Sequence, residues 1–495
     1  MSEALPEMVS LGAQLAQLAA TKGEAAAVTC AGETLTYAEL NRRSNRLARA
    51  LAAKGVKYGD LVTIGLPNST GFVAAAYAVW KLGATPQPVS FRLPKAELAA
   101  IVELAGSPVV VADFDHVLDV PVLTIAELEA LSADDSDLPD VTSPVLKAPT
   151  SGGSTGRPKL ILAGQPAVAA KATPADPGPF RIRPGATMVI PAPLYHNAPF
   201  GMMTGGTSAG CHIVLTPRFD PEGTLAEIQA HKAGWVYLVP TMMNRIWHLP
   251  EAVRAKYDLS TVEILWHMAA PCPAWLKEAF IHWIAPGEVM ELYAGTEAQA
   301  VTIITGTEWL THRGSVGKVA IGEMKVFGDD GAEAAPGEVG EIYMRRAAGT
   351  PETYRYVGAT AKVLRDGWES LGDLGSFDAE GYLYLADRRT DMILVGGSNV
   401  YPAEIESALQ EHPAVESCAV IGLPDDDLGQ RIHAIVNARG EVTAEDLEAH
   451  VKDRLVTYKQ PRSYEFVDEA VRDDAGKVRR TALRDARIAA MKQPV

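Results

Sequence analysis

Two hydrophobic periods alternate along the first third of the chain. Thr36-Tyr-Ala-Glu39 has the spacing of a capping box, and the apolar positions Leu40, Leu47 and Leu51 that follow share one helical face. Short apolar runs at 61–66 and 108–112 read as strands, with a helix predicted over 72–82 between them. That alternation predicts an α/β fold with a largely parallel sheet. The same rhythm returns over 187–286, with strands expected at 187–190, 212–215 and 235–239. From 314 to 385 the pattern shifts to glycine, charge and short alternations, as in Glu341-Ile-Tyr-Met-Arg345 and Gly381-Tyr-Leu-Tyr-Leu385, which predicts a β-rich subdomain. Beyond Asp391, helices at 402–409 and 443–455 and a strand at 417–421 predict a small α+β domain. The expected organisation is a large N-terminal domain, 1–388, of two α/β sheets plus the β-rich subdomain. A hinge at 389–391 and a small C-terminal domain, 392–495, follow.

Composition narrows the class without naming a reaction. The chain has 495 residues, 47% hydrophobic and 21% charged, an ordinary globular profile long enough for more than one core. Its net charge of -16 argues against a nucleic-acid partner, because no basic stretch offsets it. The cysteines Cys30, Cys211, Cys272 and Cys418 are scattered, which suggests neither a disulfide framework nor a zinc site. Residues 1–10 carry Glu3 and Glu7 and lack the basic and apolar regions of a signal peptide. No stretch approaches the roughly 20 apolar residues that span a bilayer. A cytoplasmic protein with no membrane partner is expected, and its oligomeric state is left open.

One loop stands out chemically. Thr150-Ser-Gly-Gly-Ser-Thr-Gly-Arg-Pro-Lys159 packs three glycines and several hydroxyls ahead of a lysine. Glycines let the backbone approach a phosphate, hydroxyls add donors, and the lysine offers a point charge. It is not a Walker A loop, since Arg157 and Pro158 separate Gly156 from Lys159. A surface loop has much the same composition, so its neighbours must decide.

Four further segments occur in order: Tyr293-Ala-Gly-Thr-Glu297, Leu371-Gly-Asp373, Asp387-Arg-Arg-Thr-Asp391 with Gly396-Gly397, and Gly476-Lys477. Together with the loop they resemble the adenylate-forming superfamily of acyl-CoA synthetases, luciferases and peptide-synthetase adenylation domains. The resemblance runs from Leu35-Thr-Tyr37 to Lys477. It implies an enzyme that uses ATP and Mg²⁺ to convert a small carboxylic acid into an acyl-adenylate, and then passes the acyl group to CoA or to an amine.

The resemblance also implies roles. Ser151, Gly152, Gly153, Ser154, Thr155, Gly156 and Lys159 would hold the outer phosphates, Thr296 the α-phosphate, and Glu297 the metal. Asp373 and Arg388 would bind the ribose, while Tyr293 and the strip Ala269-Ala270-Pro271 would face adenine. Lys477 would bridge the carboxylate and the α-phosphate, although Val471-Arg-Asp473 replaces the family's usual Pro-Arg-Thr. Gly396 and Gly397 would belong to a loop that serves the second substrate, with Thr390 at the hinge. His196 matches a gating position, and Gly201, Trp235, Met242, Trp266 and Met268 would line the acyl pocket.

Tyr195-His-Asn197 offers no carboxylate for an α-amino group, which disfavours an amino acid substrate. Small, aromatic and methionine residues suit a bulky or cyclic acid, and core packing explains the same residues equally well. An acyl-CoA ligase is the leading expectation and an amide-bond synthetase the alternative. A non-catalytic nucleotide-binding regulator is opposed by the presence of Lys159, Glu297, Asp373 and Lys477.

Overall fold

Helix boundaries follow the capping chemistry. Thr36 Oγ1 accepts from the Glu39 amide, and the Glu39 carboxylate accepts in return from the Thr36 amide, opening the helix Tyr37–Ala53. The computed structural model describes residues 7–114, 118–152, 158–171, 176–285, 287–363, 366–388, 390–395, 398–425 and 427–491, without the side chains of 151, 152 and 388. The expected positions Gly153, Ser154, Thr155, Gly156, Arg389, Gly396 and Gly397 lie outside the described residues.

The large domain contains two parallel arrays. One is a four-stranded sheet ordered Thr85–Pro88, Leu61–Gly65, Val110–Ala112 and Val122–Leu123. The other runs Glu288–Ala294, Ile264–His267, Trp235–Leu238, Thr187–Ile190, His212–Leu215 and Ala26–Cys30, all parallel. Its strands Trp235–Leu238 and Ile264–His267 are buried at every position, as strands covered on both faces must be. The helix Thr70–Lys81 is buried throughout because it touches strands of both sheets.

The β-rich region pairs edge to edge with the second sheet. Glu288–Ala294 turns at 295–300 into the antiparallel strand Val301–Thr305, and the pairing continues through Ser315–Ile321, Leu383–Arg388, Glu369–Phe377, Gly340–Arg345 and Glu323–Phe327. The strand expected from 381 begins at Leu383, since Gly381 (φ +83°) closes a turn. A separate antiparallel sheet of Tyr354–Val357, Pro158–Ala163 and Thr150–Gly152 places Ser151 opposite Lys159. No helix among the described residues is long and apolar enough to cross a membrane.

The small domain has its own sheet and core. Ile393, Val400, Ile405, Leu409, Val420, Val436 and Leu447 pack together apart from the large domain. Beside them, Glu406 is buried between two guanidinium groups. Arg472 Nη2 lies 2.5 Å and Arg480 Nη2 2.8 Å from Glu406 Oε2, while Arg480 Nη1 lies 2.8 Å from Asp391 Oδ2. Burial opposes ionisation of Glu406, but the two arginines outweigh it and hold the carboxyl below its ordinary value of 4.5.

Glu406→Gln should therefore lower the stability of the small domain by about 3–5 kcal/mol, because two buried cations lose their counterion. A reduced urea midpoint is the expected reading, and an unchanged one would contradict the clamp. In the parent, the contribution of Glu406 should be complete above pH 4.5 and fade as pH falls below it, since the unfolded chain takes up the proton first.

Candidate active site

The phosphate-binding candidates converge from three elements. Lys159 stands at the start of Pro158–Ala163, with its Nζ 3.5 Å from Glu297 Oε1 and 4.0 Å above the Tyr356 ring. The Tyr356 hydroxyl donates to the same Glu297 oxygen at 2.5 Å. Glu297 is only 5% exposed, so its charge is held by a cation and a phenol rather than by water. Burial, and then the Glu297 carboxylate, raise the Tyr356 pKa, which keeps its hydroxyl a donor. Beside it, Tyr354 donates to Glu369 at 2.5 Å, and Gln299 donates to the same carboxylate. Thr296 sits in the turn that follows the strand Glu288–Ala294. That turn needs glycine at 295, where a Cβ would lie 2.2 Å from Leu371 Cδ1 and 2.8 Å from Glu297 Oε2.

The pair Tyr354 and Tyr356 is absent from the sequence-based expectations. Their period of two puts both rings on one face of Tyr354–Val357 and is visible in the sequence. Their carboxylate partners, 15 and 59 residues away, are not.

Among the candidates for sugar and base, Tyr293, Asp373 and Arg388 come together. The Tyr293 hydroxyl donates to Asp373 Oδ2 at 2.7 Å, and Asp373 lies opposite Arg388 in the strand register. Ala269 has φ +77°, unusual for a residue with a Cβ, in the exposed turn after Ile264–His267 that continues through Ala270 and Pro271.

A loop of the small domain meets the large domain. Asp473 Oδ1 accepts from the amides of Ala475 and Lys477, and Arg472 Nη1 donates to the Gly476 carbonyl, which shapes the turn. Asp474 Oδ2 accepts from Tyr195 at 3.0 Å and from Arg92 at 2.9 Å. Gly476 (φ +76°) is seated so closely that a Cβ would come within 3.2 Å of Ala270 and 3.3 Å of Thr241. Lys477 is thereby carried to the large domain, near enough to His196 for its charge to be felt there.

His196 caps the helix Asn197–Ser208 without a side-chain cap bond, and its Nε2 is buried with no partner among the described residues. Burial lowers its pKa to about 4, aided by Lys477 and opposed by Asp473 and Asp474. The ring is neutral at pH 7. Asn197 Oδ1 is likewise buried without a described partner. Gly201 follows on the same helix. The indoles of Trp235 and Trp266 both donate to the Phe180 carbonyl at 3.0 Å, and both rings are buried. Met242, on Pro240–Trp247, and Met268, after Ile264–His267, are buried too.

The AMP-binding enzyme model matches residues 15–354, and the AMP-binding enzyme C-terminal domain model matches 404–477. A feruloyl-CoA synthase from Amycolatopsis sp is 33% identical over 96% of this chain and 98% of its own. The o-succinylbenzoate CoA synthetase of Bacillus subtilis, solved with its acyl-adenylate intermediate, superposes with a TM-score of 0.81 at 27% identity, covering 97% of this chain and 99% of that one. An amide bond synthetase from Marinactinospora thermotolerans superposes with a TM-score of 0.77 at 26% identity, covering 96% and 99%.

The buried ring of His196 should titrate well below an exposed histidine. Followed by NMR and assigned through His196→Asn, its midpoint should fall near 4 rather than 6.5. Because the folded value is lowered, the unfolded chain binds this proton first, and the group costs stability as pH drops below 6.5. A midpoint near 6.5 would show that the ring is solvated.

Proposed function

We propose that this chain, which belongs to the AMP-binding enzyme family, is a ligase that activates a bulky or cyclic carboxylic acid as its acyl-adenylate and then transfers the acyl group to CoA. The observation that carries this reading is the seat of the Lys477 loop, whose Gly476 packs on Ala270 and Thr241 and which brings a cation of the small domain within electrostatic reach of His196. A carboxylate attacks a phosphate only when the charge of both partners is neutralised and the attack is aligned.

Each residue then has a task. Lys159 and the 151–156 loop would hold the outer phosphates, with Thr296 at the α-phosphate. Asp373 would accept from the ribose hydroxyls, with Arg388 beside it, and Tyr293 would lie against adenine opposite Ala269, Ala270 and Pro271. Lys477 would bridge carboxylate and α-phosphate oxygens as charge shifts toward the pyrophosphate. Neutral His196 would orient the acid without repelling Lys477. The acid's body would lie among Gly201, Trp235, Met242, Trp266 and Met268.

Glu297 suits Mg²⁺, a hard cation that takes oxygen donors and often needs few protein ligands because phosphates and water supply the rest. Among the described residues no cluster of three metal-binding side chains competes with it. When bound, the ion would screen the phosphate charge.

Domain motion would serve the second step. Asp391 is clamped to Arg480 of the small domain, so the proposed hinge at 389–391, between domains 1–388 and 392–495, would be fixed at its end to the moving part. Rotation there would withdraw Lys477 and bring Gly396 and Gly397 toward the adenylate. Four free thiols suit a cytoplasmic setting. The amide-forming reading is favoured by one observation, the likeness to an amide bond synthetase, and product analysis with CoA and with amines separates the two.

Lys477→Ala should cut acid-dependent pyrophosphate release by roughly a hundredfold or more while ATP affinity changes little, since its contacts form mainly in the transition state. Lys159→Ala and Asp373→Ala should instead raise the KM for ATP, because they touch parts of the nucleotide that the chemical step leaves alone. A panel of carboxylic acids with ATP supplies the assay. Undiminished turnover by Lys477→Ala, or no pyrophosphate from any acid with the parent, would overturn the assignment.

A further inference from the structure

One lysine close to the acyl side of the cleft has no task in this scheme. Lys147 lies on the segment leading into the phosphate loop, with its carbonyl bonded to the Ala163 amide. Its Nζ donates to the Asn197 carbonyl at 3.0 Å and stands 6.0 Å from the Phe200 ring centroid. A Cβ at Gly201 would meet only this Nζ within 4 Å, at 3.2 Å. Among the described residues it forms no ion pair, and burial alone pushes its pKa down to about 8. Its ammonium is desolvated, while the residue as a whole is half-buried.

The placement is costly in two ways. An ammonium deprived of water and given no carboxylate loses hydration that one carbonyl cannot replace. It also sits at the first turn of the helix Asn197–Ser208, where the helix dipole presents its positive end. Both costs disappear when an anionic or strongly accepting oxygen arrives. Among the described residues only the Asn197 carbonyl accepts from this ammonium, which leaves two of its protons to be donated, and the absence of a side chain at Gly201 leaves the space.

We infer that Lys147 is a specificity-determining residue that donates to a second, negatively polarised oxygen at the far end of the acid's acyl body. Lys147 Nζ lies between the Asn197 carbonyl and the space at Gly201, within one helical turn of the His196 cap, and a turn rises roughly 5.4 Å, about the length of one six-membered ring. The favoured acids carry their second oxygen, of a carboxylate or a ketone, across a ring from the carboxyl that is activated. This inference rests on the proposed acid ligase reading and refines its substrate class.

The test compares 4-methylbenzoate, 4-acetylbenzoate and terephthalate on the full-length parent, Lys147→Met and Lys147→Arg. Pyrophosphate release with ATP and the melting-temperature shift caused by each acid are both read. The parent should prefer terephthalate and 4-acetylbenzoate to 4-methylbenzoate at least tenfold in kcat/KM, mainly through KM. Lys147→Met should reduce that ratio tenfold or more, and Lys147→Arg should retain part of it; turnover of 4-methylbenzoate by Lys147→Met shows that the variant is folded. Equal ratios in parent and Lys147→Met, or no preference in the parent, would overturn the inference. If no acid yields pyrophosphate but the melting shifts keep the Lys147-dependent preference, the ligase reading fails and the recognition site stands.

Discussion

The Glu406 carboxylate, enclosed by Arg472 and Arg480, is the constraint on which the cleft depends. Arg472 binds Glu406 with one part of its guanidinium and the Gly476 and Cys418 carbonyls with the rest. The cation that neutralises a buried charge therefore also shapes the turn that carries Lys477. Arg480 reaches from the same carboxylate to Asp391, so the segment that enters the small domain and its last described helix share one charge cluster. Breaking a buried cluster of this kind costs several kcal/mol, whichever member is removed.

The contacts of that turn with the large domain are of a different strength. Arg92 and Asp474 have side chains 49% and 36% exposed, and such pairs contribute at most about 1 kcal/mol. Tyr195 adds one hydrogen bond to the same oxygen, and Gly476 adds close packing but no side chain. The turn is firmly built on its own domain and lightly docked on the other. The proposed mechanism, in which the loop delivers a cation for one step and leaves before the next, calls for that asymmetry.

Much of this was legible along the chain. The capping box at Thr36, the strands 187–190 and 212–215, and the switch to short alternating strands after 314 all follow from local periodicity, which needs no knowledge of partners. The motif residues Lys159, Tyr293, Glu297, Asp373 and Lys477 were legible through their order. Tyr356, Arg472 and Lys147 were not singled out, because each acts through a residue far away in sequence: Glu297 for the first, Glu406 for the second, and the turn after His196 for the third. The buried indoles of Trp235 and Trp266 show the same limit. Composition could not tell a ring that faces a ligand from one that packs beside it, and both prove to be tied to the Phe180 carbonyl.

Charge is distributed against the protein's average. The chain carries a net charge of -16, yet Arg92, Lys147, Lys159 and Lys477 each stand beside a candidate site residue or the turn that carries Lys477. An acidic exterior repels polyanions, which are bound mainly by broad basic surfaces. A narrow cationic cleft in low-dielectric walls concentrates the field and admits small anions. Each cation is also restrained differently. Lys159 is held by Glu297 and a tyrosine face, Arg92 by Asp474, and Lys147 by a single carbonyl. A cation paired with a carboxylate gives up part of its attraction for an incoming anion, whereas one held by a neutral carbonyl keeps most of it. In the proposed mechanism, the cation held only by a described neutral carbonyl, Lys147, would face the acyl body, where acids differ most from one another, whereas Lys159, paired with Glu297, would face the triphosphate, which is the same in every turnover.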